Sequence, residues 1–515
     1  MSFSSQFQNV FQMLQHSANR REDALALAFE GERYTYGQLN RRVHSVMEQL
    51  RTNWSLSAGA RIVLAYGNTP AFCEIFFAAM GLGIEVVPFS TKLKEEEGLR
   101  LIQHVSPNAI FYNGDGQNWL SGISNTLTVS LEQWHSLTLP ERLSSALPEV
   151  VRDDTAVIMF TSGTTGTPKG VVITQSNLLS AITAYKDGLQ LDENDSTVLA
   201  VPVYHITGLS ALLSLFIALG GAIWLQERFQ ADAVLNTVIQ ENITFLHGSP
   251  TVFILLSQAV KAKNISAPLS FPSLRQIACG AGHLNAGLIK ELTSCFPHAA
   301  IHPVYGLTET TSPATLFTND IRHHPRTGSS GKAIQGLEID IRDDQNERQL
   351  RNEIGQIWLR GDVVVKRYWQ PPHHRPACDE QGWFATGDLG YLDNDGYLFI
   401  KDRSKDMINR GGEKIYSIDL ENLISTYSGV KEVAVIPAPS PIYGEEPVAF
   451  IVTDRDCHLT RDELLHWLRS KVAKYQLPVR IIFTRFLPRT HNGKICKREL
   501  KTQLQDYLLT SGNQS

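Results

Sequence analysis

A ten-residue loop, Thr161–Gly170, constrains this chain more than any other segment. It contains five hydroxyl side chains, three glycines and one lysine, and it follows the apolar run Ala156–Phe160. The apolar run predicts a strand that leads into a tight turn, and apolar residues resume at Val171–Ile173. Backbone N–H groups, hydroxyls and an ammonium in such a loop can bind the phosphates of a nucleotide.

The loop departs from the commonest phosphate-binding pattern, Gly-x4-Gly-Lys-Ser/Thr. Pro168 stands where the second glycine is required, and Gly170 follows Lys169. A solvated polar turn has the same composition. The loop therefore indicates a nucleotide site only in combination with motifs further along the chain.

Length and composition limit the class of protein. A chain of 515 residues is too long for one typical core, so we expect two or more domains. Its 43% hydrophobic and 19% charged residues are typical of a globular protein, and a net charge of −5 argues against a nucleic-acid partner. Six cysteines without a Cys-x-x-Cys pair favour a reducing compartment over a disulfide framework or a zinc site.

Two further features bear on location. The first thirty residues lack a basic segment followed by an apolar one, so no secretory signal is evident. The stretch Gly208–Leu225 has eighteen residues without a charge, but Gly220 and Gly221 interrupt it and serines lie inside it. We interpret it as a buried helix and strand rather than a membrane span, and we expect a cytoplasmic protein.

The first part of the chain has an alternating pattern. A predicted strand at 60–66, a helix at 69–82 and a strand at 84–88 form a βαβ unit, the element of a doubly wound parallel sheet. Helical segments at 231–240 and 284–296 each lead to a further apolar strand. From about 331 to 402, short strands alternate with Gly/Asp turns, which predicts a mainly antiparallel region.

The last part of the chain predicts a small α+β domain. Ser417 is a candidate helix cap, and Thr460–Glu463 is a capping box that opens a helix over Arg461–Lys474. Apolar strands are predicted around these helices. We therefore expect a large domain at 1–402 and a small one at 403–515.

The segment Tyr305–Thr310 directly follows a predicted strand, where open α/β sheets bind ligands. Glu309 can hold Mg²⁺, Thr308 can contact a phosphate oxygen, and Tyr305 offers a flat face for a base. A solvated turn is the alternative for this segment taken alone.

Two more motifs carry charge. Asp388, after a predicted Thr-Gly turn, can accept hydrogen bonds from ribose hydroxyls, although a plain Asx turn explains it as well. Lys494 lies on a turn near the C-terminus, where its ammonium can neutralise charge that develops on phosphate or carboxylate. A surface lysine is the simpler alternative there.

Taken in order, these motifs resemble those of the adenylate-forming superfamily of acyl-CoA synthetases, peptide-synthetase adenylation domains and luciferases. The resemblance extends from the βαβ unit near Ala60 to Lys494. It implies a large domain of doubly wound sheets with a small antiparallel region, followed by a small, mobile C-terminal domain that carries a catalytic lysine.

The resemblance implies specific roles for the ATP site. The residues that would close over the β- and γ-phosphates are Thr161, Ser162, Gly163, Thr164 and Thr165, with Lys169 near the far end of the loop. Those that would surround the nucleotide are Gly280, Ala281 and Tyr305 with Gly306 at the base, Thr308 at the α-phosphate, and Asp388 with Arg403 at the ribose. Glu309 would ligate Mg²⁺, and Lys494 would bridge the substrate carboxylate and the α-phosphate.

The family resemblance also implies a second half-reaction, in which a thiol attacks the acyl-adenylate after the C-terminal domain turns. Lys405 occupies the hinge position, and Gly412 would then line the thiol tunnel. Free coenzyme A is the expected acceptor, and a separate phosphopantetheinyl carrier protein is the alternative. A non-catalytic scaffold and a luciferase-like oxygenase are weaker alternatives.

The expected acid has an uncharged tail. Amino-acid-activating relatives keep an aspartate near a point where this chain has no acidic residue, between Val203 and Leu212. His205 matches the family's pocket histidine, although a satisfied core histidine is the alternative. The expected pocket residues are His205, Leu209, Gly282 and Ala314. Aliphatic and aromatic acids both fit this description, and the sequence indicates no oligomeric state.

Overall fold

The structure is a computed structural model, and it describes residues 3–114, 117–123, 126–140, 146–161, 169–263, 271–282, 284–370, 374–453, 459–489 and 495–511. The α-helices within these ranges are α1 (Val10–Arg20), α2 (Tyr36–Glu48), α3 (Pro70–Leu82), α4 (Glu95–Val105), α5 (Leu131–Ser136), α6 (Gln175–Leu189), α7 (Leu215–Leu219), α8 (Ala231–Gln240), α9 (Pro250–Ala262), α10 (Ala286–Cys295), α11 (Ser417–Ser425), α12 (Arg461–Arg469) and α13 (Lys497–Ser511). The short helical turns are two π segments, Gln49–Asn53 and Thr207–Ser214, and the 3-10 turns Phe3–Gln6, Asn118–Gly122, Thr308–Thr310, Ile321–His323 and Lys474–Gln476.

The strands fall into four sheets. Those before residue 336 are β1 (Leu25–Phe29), β2 (Glu32–Thr35), β3 (Arg61–Ala65), β4 (Glu85–Pro88), β5 (Ala109–Tyr112), β6 (Leu127–Ser130), β7 (Thr155–Thr161), β8 (Lys169–Thr174), β9 (Ser196–Leu199), β10 (Ala222–Leu225), β11 (Phe245–Gly248), β12 (Gln276–Cys279), β13 (Ala300–Tyr305), β14 (Thr315–Leu316) and β15 (Lys332–Ala333). Those after it are β16 (Leu337–Arg342), β17 (Gly355–Gly361), β18 (Arg367–Trp369), β19 (Arg375–Pro376), β20 (Phe384–Leu392), β21 (Leu398–Arg403), β22 (Ile408–Arg410), β23 (Glu413–Ile415), β24 (Val430–Ser440), β25 (Gly444–Thr453) and β26 (Arg480–Phe483).

The first sheet has the order β19-β18-β8-β7-β4-β3-β5-β6 and contains the predicted βαβ unit. Thr69 caps α3 by accepting a hydrogen bond from the Phe72 N–H, Pro70 begins the helix, and Gly83 ends it in the left-handed region at φ +68°. The crossover leaves β3 and β4 parallel and adjacent. In the same sheet β7 and β8 form an antiparallel hairpin, in which Thr161 faces Lys169. The predicted strand before the phosphate loop is thus confirmed.

The second sheet has the order β15-β14-β13-β12-β11-β9-β10-β1-β2. Its central strands are parallel, and their helices pack on both faces, so the predicted doubly wound α/β class is confirmed. The uncharged stretch Gly208–Leu225 forms part of the π segment, then α7 and β10, and all of it is buried except Ala222 and Trp224, which are partly exposed. No helix in the described ranges is long and apolar enough to cross a membrane.

The third sheet is antiparallel and has the order β16-β17-β20-β21. Here the structure corrects one interpretation of the sequence. Asp388 does not follow a free turn but lies within the nine-residue strand β20. Gly387, at φ +74°, lies where the pairing with β17 shifts register, so the Thr-Gly pair forms a bulge inside a strand.

The fourth sheet, β23-β22-β25-β24 with β26 beside β25, belongs to the C-terminal part of the chain. Thr460 and Glu463 form the predicted capping box of α12, but that helix ends at Arg469, well before Lys474. The predicted Ser417 cap is also wrong, because Ser417 is the first residue of α11 and donates its backbone N–H to Asp402. A carboxylate from β21 thus takes the place of a local cap.

A substitution of Gly331 tests how closely β14 packs against the loop that precedes β15. Its φ is +92°, and a Cβ at this position would overlap the Leu316 carbonyl group. We expect Gly331→Ala to destabilise the protein by about 3 kcal/mol or more, because backbone strain adds to a clash with backbone atoms that cannot move aside. Thermal unfolding followed by circular dichroism measures the change.

Gly328 is the matched control for that prediction. It has a similar φ of +97°, but no described atom lies within 4 Å of its Cβ position. Gly328→Ala should therefore cost only the strain, about 1 kcal/mol. Equal losses of stability in the two variants would contradict the packing argument.

Candidate active site

The turn after β13 lies at the carboxyl end of the second sheet. β13 pairs in parallel with β12 and antiparallel with the short β14. Tyr305 ends the strand, Gly306 follows, and Thr308–Thr310 forms one 3-10 turn that carries Glu309. The topology therefore presents these side chains at the sheet edge where open α/β folds bind ligands.

Two residues from separate parts of the chain meet at the carboxylate of Asp388. The Tyr305 hydroxyl donates to Asp388 Oδ2 at 2.7 Å, and Arg403 Nε lies 3.1 Å from Asp388 Oδ1. Asp388 and Arg403 face each other across the β20–β21 ladder. Tyr305 and Asp388 are only 8% and 4% exposed. The site thus contains a buried anion that is paired on both oxygens.

The phenol of Tyr305 stays protonated in this position. Burial, and next the charge of Asp388, raise the pKa of Tyr305 well above its usual range. It therefore remains a hydrogen-bond donor at every physiological pH. Each oxygen of Asp388 keeps a second lone pair, so the carboxylate can also accept from hydroxyl groups of a ligand.

A second group surrounds Glu309. The hydroxyl of Tyr368 on β18 donates to Glu309 Oε1 at 3.1 Å, and Lys169 Nζ lies 5.5 Å from the centre of the Tyr368 ring. The backbone carbonyl of Glu309 accepts from the Val365 N–H at 2.9 Å. Glu309 belongs to the second sheet's turn, whereas Lys169 and Tyr368 belong to the first sheet. The two sheets therefore meet at this carboxylate.

Small residues form the wall between β12 and β13. A Cβ on Gly280 would lie 3.0 Å from the Val304 carbonyl oxygen, and Ala281 adopts a left-handed φ of +61°. A Cβ on Gly282 would lie 3.1 Å from the Pro250 ring. A side chain on either glycine would have to displace its neighbour slightly, so here the backbone itself forms the surface.

The predicted pocket residues lie on several elements. His205 packs against Tyr204 with ring centroids 4.6 Å apart, and its carbonyl accepts from the Leu209 N–H at 3.0 Å. Leu209 lies in the buried π segment. Ala314 is fully buried beside Gly306, whose Cβ position would lie 3.3 Å from the Ala314 backbone nitrogen.

Residues predicted for the second half-reaction lie past β21. Gly412 occupies the turn between β22 and β23 at φ +96°, is exposed, and donates its N–H to Asn409 Oδ1 at 3.0 Å. Lys405 is exposed in the turn that follows Arg403. Neither residue contacts the Asp388 group in the described contacts.

A buried cluster joins β21 to the C-terminal part of the chain. Asp402 is 1% exposed and accepts from both the backbone N–H and the hydroxyl of Ser417. Lys497 Nζ donates to Ser417 Oγ at 2.7 Å and pairs with Glu421 Oε1 at the same distance. The cluster ties the first turn of α13 to α11 and to the end of the third sheet.

Several predicted residues lie outside the described ranges. They are Ser162, Gly163, Thr164 and Thr165 of the phosphate loop, and Lys494. The two ends of the loop, Thr161 and Lys169, are described and face each other in the β7–β8 hairpin.

The sequence did not reveal two polar groups of this region. Tyr368 lies in an Arg-Tyr-Trp strand that carries no motif, and only the fold brings it to Glu309. Asp402 lies in the charged run 401–406, which by composition suggests a solvated segment, yet it is a buried acceptor. The only sequence signal for its burial is that Asp402 follows Leu398 and Ile400 at every second position, which places all three on one face of β21.

Comparison with known proteins agrees with this arrangement. Residues 14–369 match the family described as AMP-binding enzyme, and residues 419–494 match the AMP-binding enzyme C-terminal domain. A long-chain-fatty-acid–CoA ligase from Mycobacterium tuberculosis is 30% identical over 480 residues, which cover 92% of this chain and 93% of that protein. A 2-succinylbenzoate–CoA ligase from Bacillus pumilus is 31% identical over 501 residues, which cover 95% and 97%.

Solved structures show the same fold. ATP-bound MatB from Rhodopseudomonas palustris superposes with a TM-score of 0.88 at 26% identity, covering 97% of this chain and 99% of that one. The chain belongs to the AMP-binding enzyme family, as an AMP-forming acid–CoA ligase.

The hydrogen bond between Tyr368 and Glu309 yields a prediction. Burial, and next the charge of Glu309, raise the pKa of Tyr368, so its hydroxyl donates throughout the neutral range. Removing the donor in Tyr368→Phe leaves the carboxylate less well oriented. We expect the Mg²⁺ concentration for half-maximal pyrophosphate release to rise about 10-fold or more, as for other outer-shell substitutions.

Tyr391→Phe is the matched control, because Tyr391 lies in the third sheet, where among the described residues it stacks on Phe399 and does not contact Glu309. It should leave the Mg²⁺ dependence unchanged. An unchanged Mg²⁺ dependence in Tyr368→Phe would show that the hydrogen bond does not orient Glu309.

Proposed function

We propose that this chain activates a carboxylic acid with an uncharged tail as its acyl-adenylate and then transfers the acyl group to coenzyme A. The meeting of Tyr305, Asp388 and Arg403 at the edge that also carries Glu309 is the observation that supports this function most strongly. A base-sized aromatic face at the end of β13, a ribose acceptor on β20 and a cation-binding carboxylate in the turn after β13 would then lie at one site.

The nucleotide would bind across the two large sheets. Asp388 would accept the ribose hydroxyls, held in place by Tyr305 and Arg403. Thr308 would contact the α-phosphate, while Lys169 and the phosphate loop would hold the β- and γ-phosphates from the first sheet. Binding both ends of ATP to rigid strands fixes the α-phosphate for in-line attack.

Glu309 fits a magnesium ion, since Mg²⁺ binds through one or two carboxylates together with phosphate oxygens and water. When bound, the ion would neutralise charge on the phosphates. The hydrogen bond from Tyr368 would orient Glu309 toward it.

The first half-reaction joins the acid's carboxylate oxygen to the α-phosphorus and releases pyrophosphate. Lys494 would bridge the two reacting groups and neutralise the charge that concentrates between them. In the second half-reaction, the coenzyme A thiolate attacks the acyl carbon and AMP leaves. The thiol would reach it past Gly412 after the small domain turns about Lys405.

The acid's tail would lie among apolar and small residues. Leu209 and Ala314 are fully buried, and the chain between Val203 and Leu212 carries no carboxylate to pair with an ammonium. The relatives named above act on a long-chain fatty acid and on succinylbenzoate. Succinylbenzoate carries a second carboxylate, so of these two acids only the fatty acid has the uncharged tail proposed here. The proposed class includes aliphatic and aromatic acids alike.

Cysteine chemistry supports a cytoplasmic location for this enzyme. The described cysteines are free thiols: Cys73, Cys279, Cys295, Cys378 and Cys496. A chain that keeps reduced thiols, and whose substrates are ATP and coenzyme A, suits a reducing compartment.

An acid panel tests the proposed function. The protein is incubated with ATP, Mg²⁺ and aliphatic or aromatic acids, with and without coenzyme A, while pyrophosphate and thioester are measured. We expect pyrophosphate with at least one acid, and thioester only when coenzyme A is present. Pyrophosphate without thioester would favour a carrier-protein acceptor, and no pyrophosphate with any acid would favour a binding or scaffold role.

Substitutions of Lys494 and Gly412 separate the half-reactions. Lys494→Ala should abolish acyl-adenylate formation, a loss of about 100-fold or more, yet spare thioester formation from supplied adenylate. Gly412→Leu should release pyrophosphate but fail to form thioester. Lys431→Ala, at an exposed lysine of β24, is the matched control for Lys494→Ala. Gly396→Leu, at another positive-φ turn with no described atom within 4 Å of its Cβ position, is the control for Gly412→Leu. Equal loss of both steps in Lys494→Ala would overturn its assigned role.

A further inference from the structure

An arginine that the proposed mechanism does not use joins the small part of the chain, from residue 403 on, to the large part before it. Arg489 Nη1 donates to the Thr251 hydroxyl oxygen at 2.9 Å, and Arg489 Nη2 pairs with Glu432 Oε2 at 2.7 Å. Thr251 belongs to α9 of the large part, whereas Glu432 belongs to β24 of the small part. One guanidinium therefore contacts both parts.

The two contacts of Arg489 differ in kind. The ion pair with Glu432 lies within the small part, between side chains that are 29% and 21% exposed. It can persist however the small part is turned. The bond to Thr251 crosses between the parts, so it depends on their relative orientation. Because the N–H groups of a guanidinium have a fixed fork geometry, the pair with Glu432 directs the other branch toward Thr251.

Thr251 lies at the border of the candidate active site. The helix α9 begins at Pro250, two residues after the end of β11. The strands β11, β12 and β13 are parallel, so this point lies at the same sheet edge as Tyr305. The Pro250 ring also lies 3.1 Å from the Cβ position of Gly282. The bond from Arg489 thus meets the large part beside the proposed nucleotide and acyl groups.

Arg489 also lies at one end of the segment that carries Lys494. Arg489 and Ile495 form an antiparallel bridge, and the Cys496 N–H donates to the Pro488 carbonyl at 2.7 Å. The two described ends of the segment are therefore held together. Lys494 is bonded to Ile495, which keeps their Cα atoms about 3.8 Å apart. An anchor on Arg489 consequently limits where the ammonium of Lys494 can reach.

Other ion pairs between the two parts are more exposed. Lys414 pairs with Asp344 at 3.3 Å, with side chains that are 52% and 83% exposed. Lys401 pairs with Asp419 at 3.1 Å, with side chains that are 26% and 44% exposed. Exposed pairs of this kind contribute little to stability. The half-buried guanidinium of Arg489 is therefore the stronger candidate for a contact that sets the orientation.

We propose that Arg489 is a positioning residue for the first half-reaction, because its bond to Thr251 holds the small part in the orientation that brings Lys494 to the nucleotide. The inference rests on the proposed function and adds this pair of residues to it. In the second half-reaction the bond to Thr251 would break as the small part turns, while the pair with Glu432 would remain. The bond would therefore support pyrophosphate release and not thioester formation.

Loss of the bond lowers the fraction of molecules in the orientation for the first half-reaction. Hydrogen bonds that involve a charged group change such equilibria by about 10-fold or more. We therefore expect kcat for pyrophosphate release to fall about 10-fold in Arg489→Ala. KM for ATP should change little, because the variant leaves Asp388 and Glu309 of the large part intact.

The two half-reactions are measured separately in the intact chain. Pyrophosphate release is followed with ATP, Mg²⁺ and the panel acid that gives the wild-type protein its highest rate. Thioester formation is followed with coenzyme A and the chemically prepared adenylate of the same acid. Arg489→Ala should lose the first rate and keep the second at the wild-type level.

Variants of the partner residue test whether one bond is responsible. Thr251→Val removes the acceptor but keeps the shape of the side chain, so it should give the same pattern as Arg489→Ala. The double variant should lose no more than Arg489→Ala alone, because the two residues act through a single bond. Arg489→Lys should regain only part of the rate, since one ammonium does not reproduce the fork that reaches both partners.

Arg485→Ala and Thr293→Val are the matched controls. Arg485 is exposed four residues before Arg489, and no described residue forms an ion pair with it. The Thr293 hydroxyl donates to the Ile289 carbonyl of its own helix, α10. Both variants should keep both rates.

The outcomes are distinct. Equal loss of both rates in Arg489→Ala would assign the residue to the stability of the small part and overturn this inference. Unchanged pyrophosphate release in Arg489→Ala, or losses that multiply in the double variant, would also overturn it and leave the proposed function intact. No pyrophosphate from the wild-type protein with any acid overturns the proposed function and this inference together.

Discussion

The buried carboxylate of Asp388 determines how three parts of the molecule fit together. Tyr305 reaches it from the parallel second sheet, and Arg403 reaches it from the end of the antiparallel third sheet. An ion buried this deeply is tolerated only with partners on both oxygens. The position of Tyr305, and the direction in which the chain leaves Arg403 toward the C-terminal part, therefore depend on the same charge.

A similar junction joins the two large sheets. Glu309 follows the second sheet, yet its side chain and its carbonyl are held by Tyr368 and Val365, which lie on or next to β18 of the first sheet. Lys169 approaches the same tyrosine from β8. The sugar of a nucleotide bound there would lie where the second and third sheets meet, and its phosphates would lie where the second and first sheets meet. The relative position of the sheets thereby fixes the length of ligand that fits.

Much of the fold could be predicted from local pattern. Helix α8 begins and ends where its apolar spacing predicts, and Thr69 and Thr460 cap their helices through short side-chain contacts. Such features depend on neighbouring residues, so the sequence contains all the information needed. The family motifs likewise predicted that Tyr305 and Asp388 share a ligand, and the structure brings them together.

The sequence-based predictions are wrong where residues far apart in the sequence determine the local structure. Gly387 suggests a turn. Because β20 pairs with β17 on one side and with β21 on the other, the Thr-Gly pair instead forms a bulge inside the strand. Ser417 suggests a cap, but Asp402, fifteen residues earlier, takes that place. Tyr368 carries no motif at all, and only the assembled sheets bring its hydroxyl to Glu309.

The bonds between Asp402 and Ser417 span Lys405, the proposed pivot of the small domain. A rotation there that separated the two residues would exchange these protein partners for water around a carboxylate that is buried in this structure. The two orientations then differ in the hydration of one charge, and salt screens a hydrated charge far more than a buried one. The balance between the two orientations would therefore depend on ionic strength.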